Sequence, residues 1–354
     1  MKTVPFFAVL VFGISVLHID AQNTLKIECK PEHPVKEKIS EGYSLNFDFV
    51  IENQSKDSLK LTRIEAVSFD RYNKIIQQRF LDNNGTAPSI NTIPNIEWNS
   101  VSTRLIFNPF PDVNLLTDKL EYTFTFNDSI AIKKTIIPAD YEQKGAFSLP
   151  LKNRILVYDG HDFYSHHRRF DYEFAFIKQL GFKGNFMRYA YDFAIVDSEG
   201  RKFIGKGENN TDWFGFGAKV LAVADGEIAA IETNKEDDKK FDIPSLKENP
   251  LTLYGNYIVL KHSEKVYSMY GHLKNQSATG LKVGDKVKKG QKIANVGTSG
   301  SSFFPHLHFE VRNSIDHQAE GLPSYFNDYY VILGAAKKDV KTHTFSTGDI
   351  IQSK

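Results

Sequence analysis

The chain has 354 residues, 41% of them hydrophobic and 25% charged, with a formal net charge of +1. That length is enough for about two domains. The near-neutral balance excludes the basic character expected of a nucleic-acid-binding protein. A single cysteine, Cys29, excludes an internal disulfide and any zinc site built on two or more cysteines.

Residues 1–21 read as a secretory signal. Lys2 precedes the apolar run "VPFFAVLVFGISVL", and Ala21 is a small residue at the cleavage point. The competing reading is an uncleaved anchor. No other segment is long and apolar enough to span a bilayer, so no integral span is expected after cleavage. The expected location is exported: periplasm, cell envelope or medium.

Residues 22–145 alternate polar and apolar residues in short runs such as "TLKIEC", "YSLNFDFVI", "LKLTRIEAVSF" and "LEYTFTF", separated by turn clusters such as "NQSKDS". This pattern predicts a β-sandwich of the immunoglobulin type. The unit contains no cluster of titratable residues and reads as a spacer or docking module, with Cys29 a buried structural thiol. Two prolines in "IPADYEQKGAFSLPLKN" set a boundary near residue 145.

The second unit, residues 146–334, begins with a helical pattern. "FDYEFAFIKQLG" has apolar residues at 170, 174, 177 and 180, then Gly181. Strands and glycines follow, in "KVLAVADGEIAAIET", "GNYIVLKH", "VYSMYGHL" and "LKVGDKVKKGQKIANVG". "NKEDDKKFD" reads as a solvated loop. Residues 335–354 are polar and expected to form a loose tail. The fold expected is therefore mostly β.

Seven of the eleven histidines lie between 161 and 308, which places any chemistry in the second unit. In "PHLHFEV" the residues at i and i+2 share a strand face. His306 and His308 then project together, opposite Leu307, Phe309 and Val311. Shared work for such a pair is metal binding or proton transfer. The other candidates are "GHDFYSHHRR", "MRYAYDF" and "YGHLK". The loop Gly297–Ser301 reads as a flexible wall of a groove. Tyr189, Tyr191 and Tyr270 are candidates to line it or to pack in the core.

The ordered set "VLAVADGEI", "YGNYIVLKH", "YSMYGHL", "KVGDKVKKGQKIANVGTSGSS" and "PHLHFEV" resembles the lysostaphin-like zinc endopeptidases, which cut peptide bridges of bacterial cell walls. The resemblance covers about residues 150–330 and implies an antiparallel β-sheet peptidase domain acting on peptidoglycan peptides. It implies zinc as cofactor, Asp192 and His308 as ligands, and His306 and His272 as catalytic residues. A shell of one Asp and two His keeps the metal a strong Lewis acid, able to lower a bound water's pKa toward roughly 7. His306 would then be the base and His272 would face the oxyanion.

One position departs from the family pattern. The first ligand normally stands four residues before the aspartate, and that position is Arg188, which cannot bind a metal. "HHRR" ahead of "MRYAYDF" is similar to a divergent branch, in which His167 supplies the missing ligand. His166 and His161 compete for that place. Arg188 is expected to turn away and pair with a carboxylate. The alternatives are a degenerate member that binds and regulates a partner wall enzyme, and a secreted zinc peptidase directed at proteins. Oligomeric state is not set by these motifs.

Overall fold

The computed structural model describes residues 24–39, 41–83, 89–163 and 165–354. The expected signal segment, 1–21, lies outside the described residues. The described chain is mostly β and forms several sheets. Among the described residues, no helix is long and apolar enough to cross a membrane.

In the amino-terminal unit, Asp48–Asn53 lies between Leu25–Lys30 and Ser102–Phe107 in one antiparallel sheet. Lys119–Phe126 lies between Ile130–Ile136 and Leu59–Phe69 in a second. Alternate residues of Lys119–Phe126 are buried, as its period-two pattern requires. Tyr122, Phe124 and Phe126 from that strand meet Phe49 and Ile51 from the first sheet in a shared core. Cys29 is buried there and unpaired. Val35–Ile39 belongs to a third sheet of short strands, where Ala139–Asp140 pairs with it in parallel.

From Phe147 onward the chain joins a different core. Among the described residues, eleven strands make one large sheet. At its centre Val266–Gly271, Leu307–Arg312 and Tyr191–Val196 run side by side, antiparallel. Leu307, Phe309 and Val311 face the core, as their alternation predicts. Tyr191 and Tyr270 are core residues as well, so they line no groove.

Two expectations need correction. Residues 336–343 and 350–353 are not a loose tail but strands of the large sheet, pairing with Phe326–Leu333. Ile350–Ser353 also pairs with Arg154–Asp159. Polar residues dominate this stretch because Ala336–His343 is the edge strand and is largely exposed on both faces, while Phe345 and Ile351 fill the core. The helix expected over 170–180 is confined to Ala175–Gln179. The flanking residues Phe170, Tyr172 and Leu180 pack irregularly into a separate cluster that also takes in Leu105 of the amino-terminal unit.

Candidate metal centre

Register brings the site together. Asp192 lies directly opposite His308 on the neighbouring strand, and Gly271 flanks His308 on the other side. His272 follows Gly271 in a left-handed backbone conformation (φ 58°). That geometry is uncommon for a residue with a Cβ. It is held by the His272 N–H, which donates to Tyr254 O at 3.0 Å. Below this turn Gly255 and Gly300 meet backbone to backbone. A Cβ on either would lie 2.3 Å from the other's nitrogen, so only glycine allows the approach.

The Gly297–Ser301 loop is accordingly pinned rather than flexible. Ser299 Oγ donates to Leu273 O at 2.8 Å, and Asp237 accepts from Thr298 N at 2.8 Å and from Asn275 N at 3.1 Å. Asp237 belongs to the charge run read as a solvated loop. Its carboxylate instead anchors the stretch beside His272.

His167, Asp192, His272, His306 and His308 converge and are all buried, between 2% and 6% exposed. Asp192 Oδ1 is the meeting point. It lies 3.5 Å from His167 Nε2, 3.4 Å from His306 Nε2 and 3.1 Å from His308 Nδ1. The rings of His167 and His308 are 4.9 Å apart, as are those of His272 and His306. Of the competitors, His166 is exposed and its Nδ1 meets Asp159. His161 is engaged through Nε2 by Glu37 at 2.6 Å. Arg188 turns away, with Nη2 2.9 Å from Asp48 Oδ2 and Nε 3.0 Å from Glu320 Oε2.

Proton positions follow from the partners. His308 Nε2 faces Glu310 Oε2 at 3.2 Å, while its Nδ1 faces Asp192. His167 likewise stands between two carboxylates, with Nδ1 3.3 Å from Asp159 Oδ2 and Nε2 toward Asp192. A neutral imidazole carries one proton, so it can satisfy one of two flanking carboxylates. Burial pushes His167 down to about 3 against the attraction of Asp192, which keeps the ring neutral at ordinary pH. In the tautomers that carry the protons on the outer nitrogens, toward Asp159 and Glu310, two lone pairs face the Asp192 carboxylate, the arrangement a bound cation requires. Burial opposes the charge on Asp192, but with the inner nitrogens protonated the pull of His167 and His306 and hydrogen bonds from His306 and His308 hold the carboxyl well below its usual range. Lone pairs and an anion converging in a dry site suit a divalent cation. One Asp and two His are a donor set that zinc accepts, with outer carboxylates orienting both rings. An overlapping group fits a metal too: the ligand atoms of Asp159, His166, His167 and Asp192 lie within 4.8 Å of one another.

The two remaining histidines are also oriented. His272 Nδ1 lies 2.9 Å from Ser299 O and His306 Nδ1 lies 2.7 Å from Phe304 O. Each Nδ1–H therefore donates to a carbonyl, which leaves Nε2 as an acceptor. Burial, with His306 and His308 adjacent, holds His272 well below its ordinary pKa. Beside His306 stands a row of rings. Phe304 lies 4.8 Å from His306, with Trp213 stacked on Phe304 at 4.9 Å and Tyr158 edge-on at 4.7 Å. Phe303, at the tip of the same loop, is 87% exposed.

Sequence reasoning missed Glu310, Asp159, Asp237 and Glu37. Glu310 was accessible to it, because it continues the His306–His308 face at the next period-two position. Glu37 and Asp237 act across long sequence separations and leave no local signal, while Asp159 meets His166 and His167 across a short irregular loop whose path the sequence does not reveal.

Residues 208–320 match the model described as Peptidase family M23. That span includes His272, His306 and His308 but begins after His167 and Asp192. The chain is 33% identical over 96 residues to cell division protein DipM of Caulobacter vibrioides, covering 27% of this chain and 13% of that protein. It is 34% identical over 104 residues to peptidoglycan DD-endopeptidase ShyB of Vibrio cholerae, covering 29% of this chain and 20% of that one. It is 35% identical over 96 residues to murein hydrolase activator EnvC of Escherichia coli, covering 27% and 18%. The chain thus spans a fifth or less of the length of these relatives. The solved catalytic domain of lysostaphin from Staphylococcus simulans is 28% identical, with 40% of this chain and 79% of that one covered and a TM-score of 0.25. Over residues 208–320 the chain carries a peptidase family M23 domain.

Proposed function

We propose that this protein is an exported zinc endopeptidase that hydrolyses the peptide cross-links of bacterial peptidoglycan. The observation that carries the reading is the convergence of His167 Nε2 and His308 Nδ1 on Asp192 Oδ1, at 3.5 and 3.1 Å. These three residues would hold the metal, which when bound supplies Lewis acidity toward water and the scissile carbonyl.

The chain's own residues do the rest. His306 offers its Nε2 beside Asp192 and takes the proton of the attacking water, the carboxylate favouring the imidazolium that results. His272 was assigned above to the oxyanion, and its bond to Ser299 makes that role conditional. Neutral His272 accepts at Nε2, and it donates only with a second proton, which burial opposes. His272 is therefore assigned to orienting the water or the substrate N–H. The aromatic row from Trp213 through Phe304 stands beside His306 and would shield that side of it from water.

Within the same reading, residues 22–145 are an immunoglobulin-like sandwich, supported by two antiparallel sheets facing across one core. The rival is a non-catalytic wall-binding module, which the depth of the five buried groups favours. Elemental analysis for zinc and digestion of purified cell walls beside casein decide between them. One zinc per chain with wall cleavage supports the proposal. Wall binding without cleavage by the zinc-loaded chain sinks it, and casein cleavage alone makes the substrate protein rather than wall.

A further inference from the structure

The segment from His161 to Arg188 carries His167 and delivers the chain to Asp192, yet its regular structure is one five-residue helix, Ala175–Gln179. Backbone with so few internal bonds must be held from outside if His167 is to keep its place. The amino-terminal unit contacts this segment at His161, Arg169, Tyr172 and Arg188, along its whole length. Glu37 Oε1 lies 2.6 Å from His161 Nε2. The Arg169 guanidinium sits over the Phe107 ring at 5.6 Å. Tyr172 Oη donates to Asp48 Oδ2 at 3.3 Å, and Arg188 Nη2 reaches the same oxygen at 2.9 Å. Asn46 Nδ2 donates to Arg188 O at 2.8 Å.

We propose that the amino-terminal unit is a clamp for the metal-ligand segment, with Glu37 and Asp48 as positioning residues for His167. The proposal rests on the reading of His167 as a ligand. Its argument is the burial of charge. Glu37 is 2% exposed and Asp48 is fully buried. Taking a carboxylate out of water costs several kcal/mol unless it is paired with good geometry. A passive spacer has no use for such groups on the surface it turns to its neighbour. Here each is matched to a cation or an imidazole on the His161–Arg188 segment. The Glu37 contact is also relayed inward, since the His161 ring packs on Tyr189 at 5.4 Å and on Tyr191, next to Asp192, at 4.9 Å.

The test uses the full chain, wild type and three variants: Glu37→Ala, Glu37→Gln and Asp48→Asn. Zinc affinity is measured by chelator competition, and amide hydrogen exchange over residues 161–170 is measured on the zinc-free protein. Glu37→Ala should weaken zinc measurably, by less than the ~10–100-fold that follows loss of a group bonded directly to a ligand. It should speed exchange over 161–170 while leaving exchange in Lys119–Phe126 unchanged. Glu37→Gln, which keeps an oxygen against His161, should restore most of both. Asp48→Asn gives an independent reading at the other end of the segment should Glu37→Ala not fold. Wild-type zinc affinity and wild-type exchange in the folded variants overturn the clamp. A wild-type chain that takes up no zinc refutes the metal reading instead, and faster exchange in its variants would still support the clamp.

Discussion

Glu310→Gln tests whether the buried row behind His308 sets its metal-binding tautomer. Glu310 accepts from Tyr254 Oη at 3.0 Å, faces His308 Nε2 at 3.2 Å and is in direct contact with Arg312 Nη2. Glu310 and Arg312 are both fully buried. The substitution keeps the shape and removes the charge, with two consequences. Arg312 keeps the Tyr254 oxygen at 2.7 Å but loses its buried counter-charge, and breaking such a pair costs about 3–5 kcal/mol. The glutamine amide can also donate to His308 Nε2, which would move the ring proton to Nδ1 and turn N–H toward Asp192. That should cost about 10–100-fold in zinc affinity, or ~1.4–2.7 kcal/mol. The two terms separate in the double variant Glu310→Gln/Arg312→Met. Removing both charges should recover most of the stability, but not the affinity. Urea unfolding of zinc-free protein gives the first quantity and chelator competition gives the second. Unchanged zinc affinity in the single variant would refute the tautomer argument. So would a double variant that regains affinity along with stability.

The remaining predictions concern other groups. Asp192→Ala and His308→Ala should each lose stoichiometric zinc, while His306→Ala and His272→Ala should keep it and lose about 10²–10⁴-fold in wall hydrolysis; full zinc in either of the first pair would reassign the ligands. Burial pushes the Cys29 thiol up to about 12, so iodoacetamide at pH 8 should label it in urea and spare it in the native chain. Burial also lowers His262, whose Nδ1 and Nε2 lie 2.8 Å from Asp225 O and Ser268 Oγ respectively. The unfolded chain then binds the extra proton first, so this contribution to stability is present above about pH 6.5 and fades as pH falls toward the lower folded value. Between pH 7.5 and 5.5, His262→Gln should flatten the pH dependence of urea unfolding, and a slope equal to wild type would remove His262 from the account.

Much of the fold was legible because period two is a strong local signal. It marked the strands Lys119–Phe126 and Leu307–Arg312 and the face that His306 and His308 share. What it could not tell is what covers that face. The face proved buried rather than wet, because the irregular 161–190 stretch and the turn at Tyr254 close over it. The closing strands at 336–343 and 350–353 were illegible for a related reason. The edge strand Ala336–His343 is exposed on both faces, so its lysines show no period-two pattern, and Phe345 and Ile351 mark the core from outside it. Glu37 and Asp237 were invisible because each finds its partner through tertiary structure, 124 residues away for Glu37 and 61 for Asp237 at Thr298.

Arg188 shows how a departure from a family pattern can be physically complete rather than damaging. A guanidinium four residues before Asp192 would repel a cation if it faced one, and it cannot give up its proton to bind one. It is instead buried between Asp48 and Glu320, which come from the two different units. Burial works against the charge, but the two carboxylates hold Arg188 protonated well above its ordinary range. The same residue that vacates the ligand position therefore ties the amino-terminal unit to the strand carrying Asp192. On the proposed metal reading His167, arriving from the far end of the segment that Arg188 closes, would take the vacated corner, its Nε2 lying 3.5 Å from Asp192 Oδ1. The arginine at 188, the histidine at 167 and the acids at 37 and 48 are thus one arrangement. Restoring a histidine at 188 alone should weaken this site rather than improve it, since Asp48 and Glu320 would lose their shared cation.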